Sequence, residues 1–297
     1  MLNGAVDIYK DGPLIAMFDC VGSIAQAVGE GLKNPEILGT LLPLLNKKWE
    51  QFSNSNRSLL TLFECFESVV VAIGDSIEPY AKIIFDRCIV ILANVLNNIN
   101  SNYEQLYSET DFYIRSMDLI SSIFSALNAK ALNFVMESNL ILLLREFLEI
   151  RDLCIKQYVF AMIGDLQKHL GSCITWKLPE FIQCAIQNLF YNDSIIDPTQ
   201  NQLTVCNNAC WCLGEMAMSP VNKDVIKPFT EPIVEKLVII FQSKKLNKSL
   251  AQNIAITLGR LGLMNPEGVA KYLDKIAKQW CVSLRYLKGD ANNDEKF

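Results

Sequence analysis

The chain has 297 residues, 51% of them hydrophobic, with only 14 Gly and 10 Pro, which excludes a disordered, collagen-like or linker-dominated polypeptide. Its 32 acidic and 27 basic residues give a net charge of −5, the wrong sign for attraction to phosphate backbones or anionic lipid. Direct nucleic acid and membrane partners are therefore disfavoured, and a basic partner is favoured.

Apolar residues recur at three- and four-residue spacing almost throughout, as in Leu38, Leu41, Leu42, Leu45 and Trp49, so an all-α chain is expected. In chain order, one set of helices is predicted near 13–28, 56–73, 111–127, 152–170, 200–218 and 247–263. A second set alternates with it, near 36–53, 77–97, 130–149, 177–190, 224–243 and 267–288. Polar stretches at 97–110 and 192–201 are expected to be flexible loops.

The first set carries a repeating anchor: Val21-Gly22-Ser23-Ile24, Ile163-Gly164-Asp165-Leu166, Leu213-Gly214-Glu215-Met216 and Leu258-Gly259-Arg260-Leu261, with degenerate copies at Glu67 and Ser121. The anchors are separated by 45, 54, 43, 50 and 45 residues, a period typical of two-helix HEAT repeats. Seven residues beyond the first four stand Gly29, Gly74, Asn128 and Gly171, residue types that tolerate the left-handed turn ending a helix. Pro35, Pro79, Pro179, Pro228 and Pro266 fall early in the partner helices, where a missing amide donor costs little.

The expected fold is a right-handed superhelical solenoid of about six antiparallel helix pairs, spanning 1–297 as one domain. Its first half-repeat looks cut at 1–11, and its tail, 289–297, is polar. Cut ends would expose apolar stacking surface, so end-to-end self-association is expected.

The chemical inventory points away from catalysis. The single histidine, His169, lies late in a helix, as a partner of the helix C-terminus or a solvated residue. No phosphate loop, zinc-protease helix or calcium loop occurs. The ten cysteines read as reduced core residues; the cluster Cys206, Cys210 and Cys212 lacks the partners of a zinc set, so neither metal nor cofactor is expected. The most apolar windows, near 83–96 and 139–148, are short or interrupted by charge, and no membrane span is expected.

Three offsets from each anchor, −6, −3 and +1, share one helix face. They place Asp19, Glu64 and Asp118 on the early inner helices, Arg115 and Tyr158 beside them, and Asn208, Trp211, Asn253 and Ile256 on the last two. Recurrent asparagines offer donors and an acceptor to a peptide main chain whatever its sequence, and Trp211 and Ile256 would add apolar anchors. Such a face suits an extended polypeptide.

The segments Val205 to Met216, Gln252 to Gly262 and Gln279 to Arg285 resemble the transportins, the karyopherin-β2 branch of the importin-β superfamily, with weaker likeness at Phe18 to Gly22 and Tyr158 to Leu166. The resemblance implies the C-terminal arch of a nuclear import receptor shuttling between cytoplasm and nucleus, which grips extended nuclear localisation signals. It implies cargo contacts at Asp19, Ile114, Asp118, Asp165, Asn208, Trp211, Asn253 and Ile256. Gln26, Ser125 and Leu60 depart from the family pattern, toward less dependence on cargo charge. The pocket for a Pro-Tyr pair and the arch that binds the GTPase Ran would lie upstream of residue 1. A HEAT scaffold, such as a phosphatase regulatory subunit, is the other reading of the residues.

Overall fold

The computed structural model describes residues 12–191, 200–243 and 246–285, among which helices dominate and no strand occurs. The expected cut half-repeat at 1–11 and polar tail at 289–297 lie outside the described residues. The helices are α1 (Gly12–Val28), α2 (Pro35–Gln51), α3 (Ser58–Ile73), α4 (Glu78–Ser101), α5 (Leu106–Leu127), α6 (Leu132–Met136), α7 (Leu140–Phe147) and α8 (Leu153–Leu170). They continue as α9 (Leu178–Asn188), α10 (Gln200–Met218), α11 (Lys223–Ile226), α12 (Thr230–Phe241), α13 (Lys248–Met264), α14 (Pro266–Ala270) and α15 (Leu273–Leu284). Two compact units divide the chain, residues 1–143 and 144–297.

In the first unit the inner helices α1, α3 and α5 pack on one another in sequence; in the second, α8, α10 and α13 do the same. Absent side chains at the anchors permit the approach. A Cβ on Gly22 would sit 3.5 Å from Ser68 Oγ on α3, and one on Gly214 only 2.7 Å from Thr257 Oγ1 on α13. The sequence had pointed to these glycines only as a repeating mark; their physical task is contact with the next repeat.

The predicted helix ends are where the backbone turns. Gly29, Gly74 and Gly171 have φ of 55°, 54° and 66°, and Asn128 has φ of 47°. Each ends an inner helix and passes into a short 3-10 turn that leads to the next helix. The early prolines also hold their expected places, with Pro35, Pro79, Pro179 and Pro266 in the first turns of α2, α4, α9 and α14.

Elsewhere the structure corrects the sequence reading. The stretch 97–110 is not a loop. α4 runs to Ser101, the Asn102 side chain accepts from Glu104 N at 3.0 Å to cap a 3-10 turn, and α5 starts at Leu106. Its polar composition hid two buried apolar residues, Ile99 and Leu106. Of 192–201, residues 192–199 lie outside the described residues and α10 has begun by Gln200.

Three of the second-set helices are also broken rather than continuous. The 130–149 segment becomes α6 and α7, restarted where Ser138 Oγ accepts from Leu140 N at 3.3 Å. Pro228, lacking an amide donor, sits in a 3-10 turn between α11 and α12. The 267–288 segment is split into α14 and α15.

Cores form within each unit. In the first, Trp49 meets Phe63 and Phe66 edge-on at 4.9 and 5.3 Å, and the Arg87 guanidinium lies 4.8 Å over its ring. Arg87 Nε also donates to Asn54 Oδ1 at 2.9 Å, binding the turn between α2 and α3 to α4. In the second, buried Asn222 donates to Gln167 Oε1 at 2.7 Å and Met216 O at 3.1 Å.

Two stretches, Gly12–Lys33 and Tyr103–Met136, are long and apolar enough by length and composition alone to cross a membrane, contrary to the window reading. In the structure the first is α1 with a 3-10 turn and the second is α5 and α6 with two 3-10 turns, and Phe18 and Val21 in one, Met117, Ile120 and Phe124 in the other, are buried. Nor are all cysteines core residues: Cys20 and Cys281 are exposed and Cys154 and Cys184 half-buried. Cys206, Cys210 and Cys212 are buried, and burial pushes the Cys206 thiol up to about 11. His169, in the last turn of α8, is half-buried, and its pKa is lowered by burial first and by the Lys168 charge second.

Between α10 and α13 lies one buried ion pair, Arg260 Nη1 to Glu215 Oε1 at 2.6 Å, with side chains 9% and 7% exposed. Arg260→Ala would strand a carboxylate in the interior, and should lower stability by about 3–5 kcal/mol in a denaturant titration. Asn128→Gly should act in the opposite direction. It relieves a positive φ that costs a non-glycine residue on the order of 1 kcal/mol, seen as a raised Tm.

Candidate peptide-binding face

Within the second unit, α8, α10 and α13 bring four of the predicted residues together. Asn208 Nδ2 donates to the main-chain carbonyl of Gln157 on α8 at 2.9 Å. Asn253 Nδ2, one repeat on, donates to Asn207 Oδ1 at 3.0 Å, and Asn207 Nδ2 reaches Asn208 Oδ1 at 3.5 Å. A row of amides thus crosses all three inner helices. Asn207, Asn208 and Asn253 are half-buried, and each keeps at least one donor unspent in this row.

Trp211 stands one turn beyond Asn208. Its indole lies against Gly164: a Cβ there would come within 2.0 Å of Trp211 Cζ3 and 2.5 Å of Cε3. The residue is neither sunk in the core nor free in solvent; it is half-buried, with its ring against α8. Asp165, the neighbour of Gly164, is half-buried on the same helix.

Ile256 departs from expectation. It is only 7% exposed, in a stretch of α13, Ile254 to Leu258, that is buried throughout, and the neighbouring Ala255 carbonyl accepts from Trp280 Nε1 at 2.9 Å. An apolar anchor for a ligand is thus offered by Trp211 and scarcely by Ile256. Glu215 and Arg260, at the +1 offset, are spent on one another inside the packing.

In the first unit, Asp19 on α1 is exposed, and Ile114 and Asp118 on α5 are half-buried. Asp118 does not stand alone: Arg115 Nη1 lies 3.9 Å from Asp118 Oδ2, and Arg115 Nη2 pairs with Glu64 Oε1 on α3. Glu67 is nearby; burial raises its pKa, opposed by Arg115 and reinforced by Glu64. Gln26 donates to Ser68 Oγ at 3.1 Å, linking α1 to α3. Ser125 is exposed and its carbonyl accepts from Asn128 Nδ2 at 3.2 Å.

The sequence reading had not singled out Asn207 or Gly164 as parts of the face. Asn207 could have been found from its place beside Asn208. Gly164 could not, since nothing in its anchor motif tells that the next repeat sets an indole on it.

No protein-family model matches the chain. Among curated proteins it is 28% identical to the transportin of Dictyostelium discoideum over 295 residues, covering 97% of this chain and 30% of that one. It is 30% identical over 297 residues to transportin-1 of Homo sapiens, covering 97% and 31%, and 32% identical over 291 residues to transportin-1 of Oryza sativa, covering 97% and 32%. The chain therefore spans about a third of the length of these relatives. A crystal structure of importin beta superposes on 99% of this chain and 34% of its own, with a TM-score of 0.70 at 14% identity, a likeness of fold alone. With the helix pairs, the repeated anchors and these alignments over nearly its whole length, the chain is transportin-like, built of HEAT repeats and matched to about a third of a transportin.

Proposed function

We propose that this chain is a cargo-gripping part of a nuclear import receptor, holding extended nuclear localisation signals of cargo proteins on the inner helices. The observation that carries this reading is Trp211 lying on Gly164 beside the row formed by Asn253, Asn207 and Asn208. A flat, half-buried aromatic accepts an apolar or long basic side chain, and unspent amide groups accept a main chain irrespective of sequence. Asp165 adds a carboxylate next to the indole for a basic signal residue.

The chemistry is binding rather than turnover. No step requires a nucleophile or a metal, and the face presents acceptors, donors and one aromatic plate. The role would be served in cytoplasm and nucleus alike, with Ran acting through an arch outside this chain.

The reading is tested by titrating fluorescently labelled signal peptides, one basic and one apolar. Trp211→Ala should weaken binding by about 2 kcal/mol, the size of a central aromatic anchor. Gly164→Ala should weaken it in the same sense without touching the peptide, because the new methyl displaces the indole; its tryptophan emission should shift. Equal affinities for wild type and Trp211→Ala would overturn the assignment.

A further inference from the structure

Arg115 is a cation set among the carboxylates that would receive a cationic ligand. Its guanidinium bridges Glu64 on α3 and Asp118 on α5, the latter at 3.9 Å, and its side chain is 34% exposed against 47% for Glu64 and 30% for Asp118. It therefore lies at the surface of the face and is not part of the core. Around it the acidic groups are Glu64, Glu67 and Asp118, and Arg115 acts on all three.

We propose that Arg115 is a built-in competitor for basic cargo residues, so that the inner face of the first unit selects signal segments with apolar rather than cationic anchors. This rests on the peptide-gripping reading above. Tethered to the same chain, the guanidinium is present at high effective concentration, whereas a cargo Lys or Arg must displace it or share its carboxylates against like-charge repulsion. An apolar side chain meets no such competitor. Val71, four residues after Glu67 and so on the same side of α3, is 73% exposed, and Ile114 is half-buried next to Arg115. Apolar surface is thus offered beside carboxylates that are already engaged.

Binding of an Arg/Lys-rich peptide and of an uncharged apolar peptide should be measured at low and high salt for wild type, Arg115→Gln, Arg115→Lys and Trp211→Ala, with circular dichroism of each variant. Arg115→Gln should bind the basic peptide roughly five- to tenfold more tightly, with a steeper loss on adding salt, as expected when a rim cation is removed. Its affinity for the apolar peptide should stay put, and Arg115→Lys should resemble wild type. A basic peptide bound equally or more weakly by folded Arg115→Gln would overturn the competitor role; if Trp211→Ala still weakened both peptides, the binding face itself would stand. Failure of both peptides to bind any form would remove the functional reading and this proposal with it.

Discussion

Contact between successive inner helices at residues with no side chain is the constraint from which the rest of each unit follows. Gly22 admits Ser68, Gly214 admits Thr257, and Gly164 admits the whole indole of Trp211. Because the neighbouring helix comes that close, residues one turn away from an anchor are brought within hydrogen-bonding reach of the next repeat. The amide row and the Arg260–Glu215 pair both exist by virtue of that spacing.

Polar groups on these helices then have two fates. Those at or below the packing surface are mostly paired, as Arg260, Glu215, Thr257 and Asn222 are, while Ser116 Oγ and Gln167 Nε2 are buried with no partner. Those above it keep capacity for a ligand, as Asn253 and Asn208 do, or are engaged by a neighbour, as Glu64 and Asp118 are by Arg115. Depth along the helix, more than residue type, decides which.

Depth is also where legibility in the sequence stopped. Helix ends could be read because positive φ demands glycine or asparagine, and Gly29, Gly74, Asn128 and Gly171 all fulfil it. Repeat spacing could be read because anchors recur. Burial within a face could not: Ile256 and Asn253 lie three residues apart on one helix, yet the first is covered and the second reaches its neighbour on α10. Breaks in the second set of helices were likewise invisible where a single serine or a tolerated proline, Ser138 or Pro228, decides them. And the offset series placed Arg115 correctly on the face but was silent on its partners, since ion pairing depends on two helices whose sequences are remote from each other.

The amide row has an arrow. From Asn253 through Asn207 and Asn208 to the Gln157 carbonyl, both bonds between helices are donated toward the N-terminal repeat and the link within α10 joins them, so the donors follow one another along the row. The arrow is fixed at its end by the Gln157 carbonyl, which can only accept, so a flipped Asn208 would set oxygen against oxygen. A strand laid along the row would meet its groups in one order travelling one way and in the opposite order travelling the other, so the row by itself has a direction that a bound main chain would have to match.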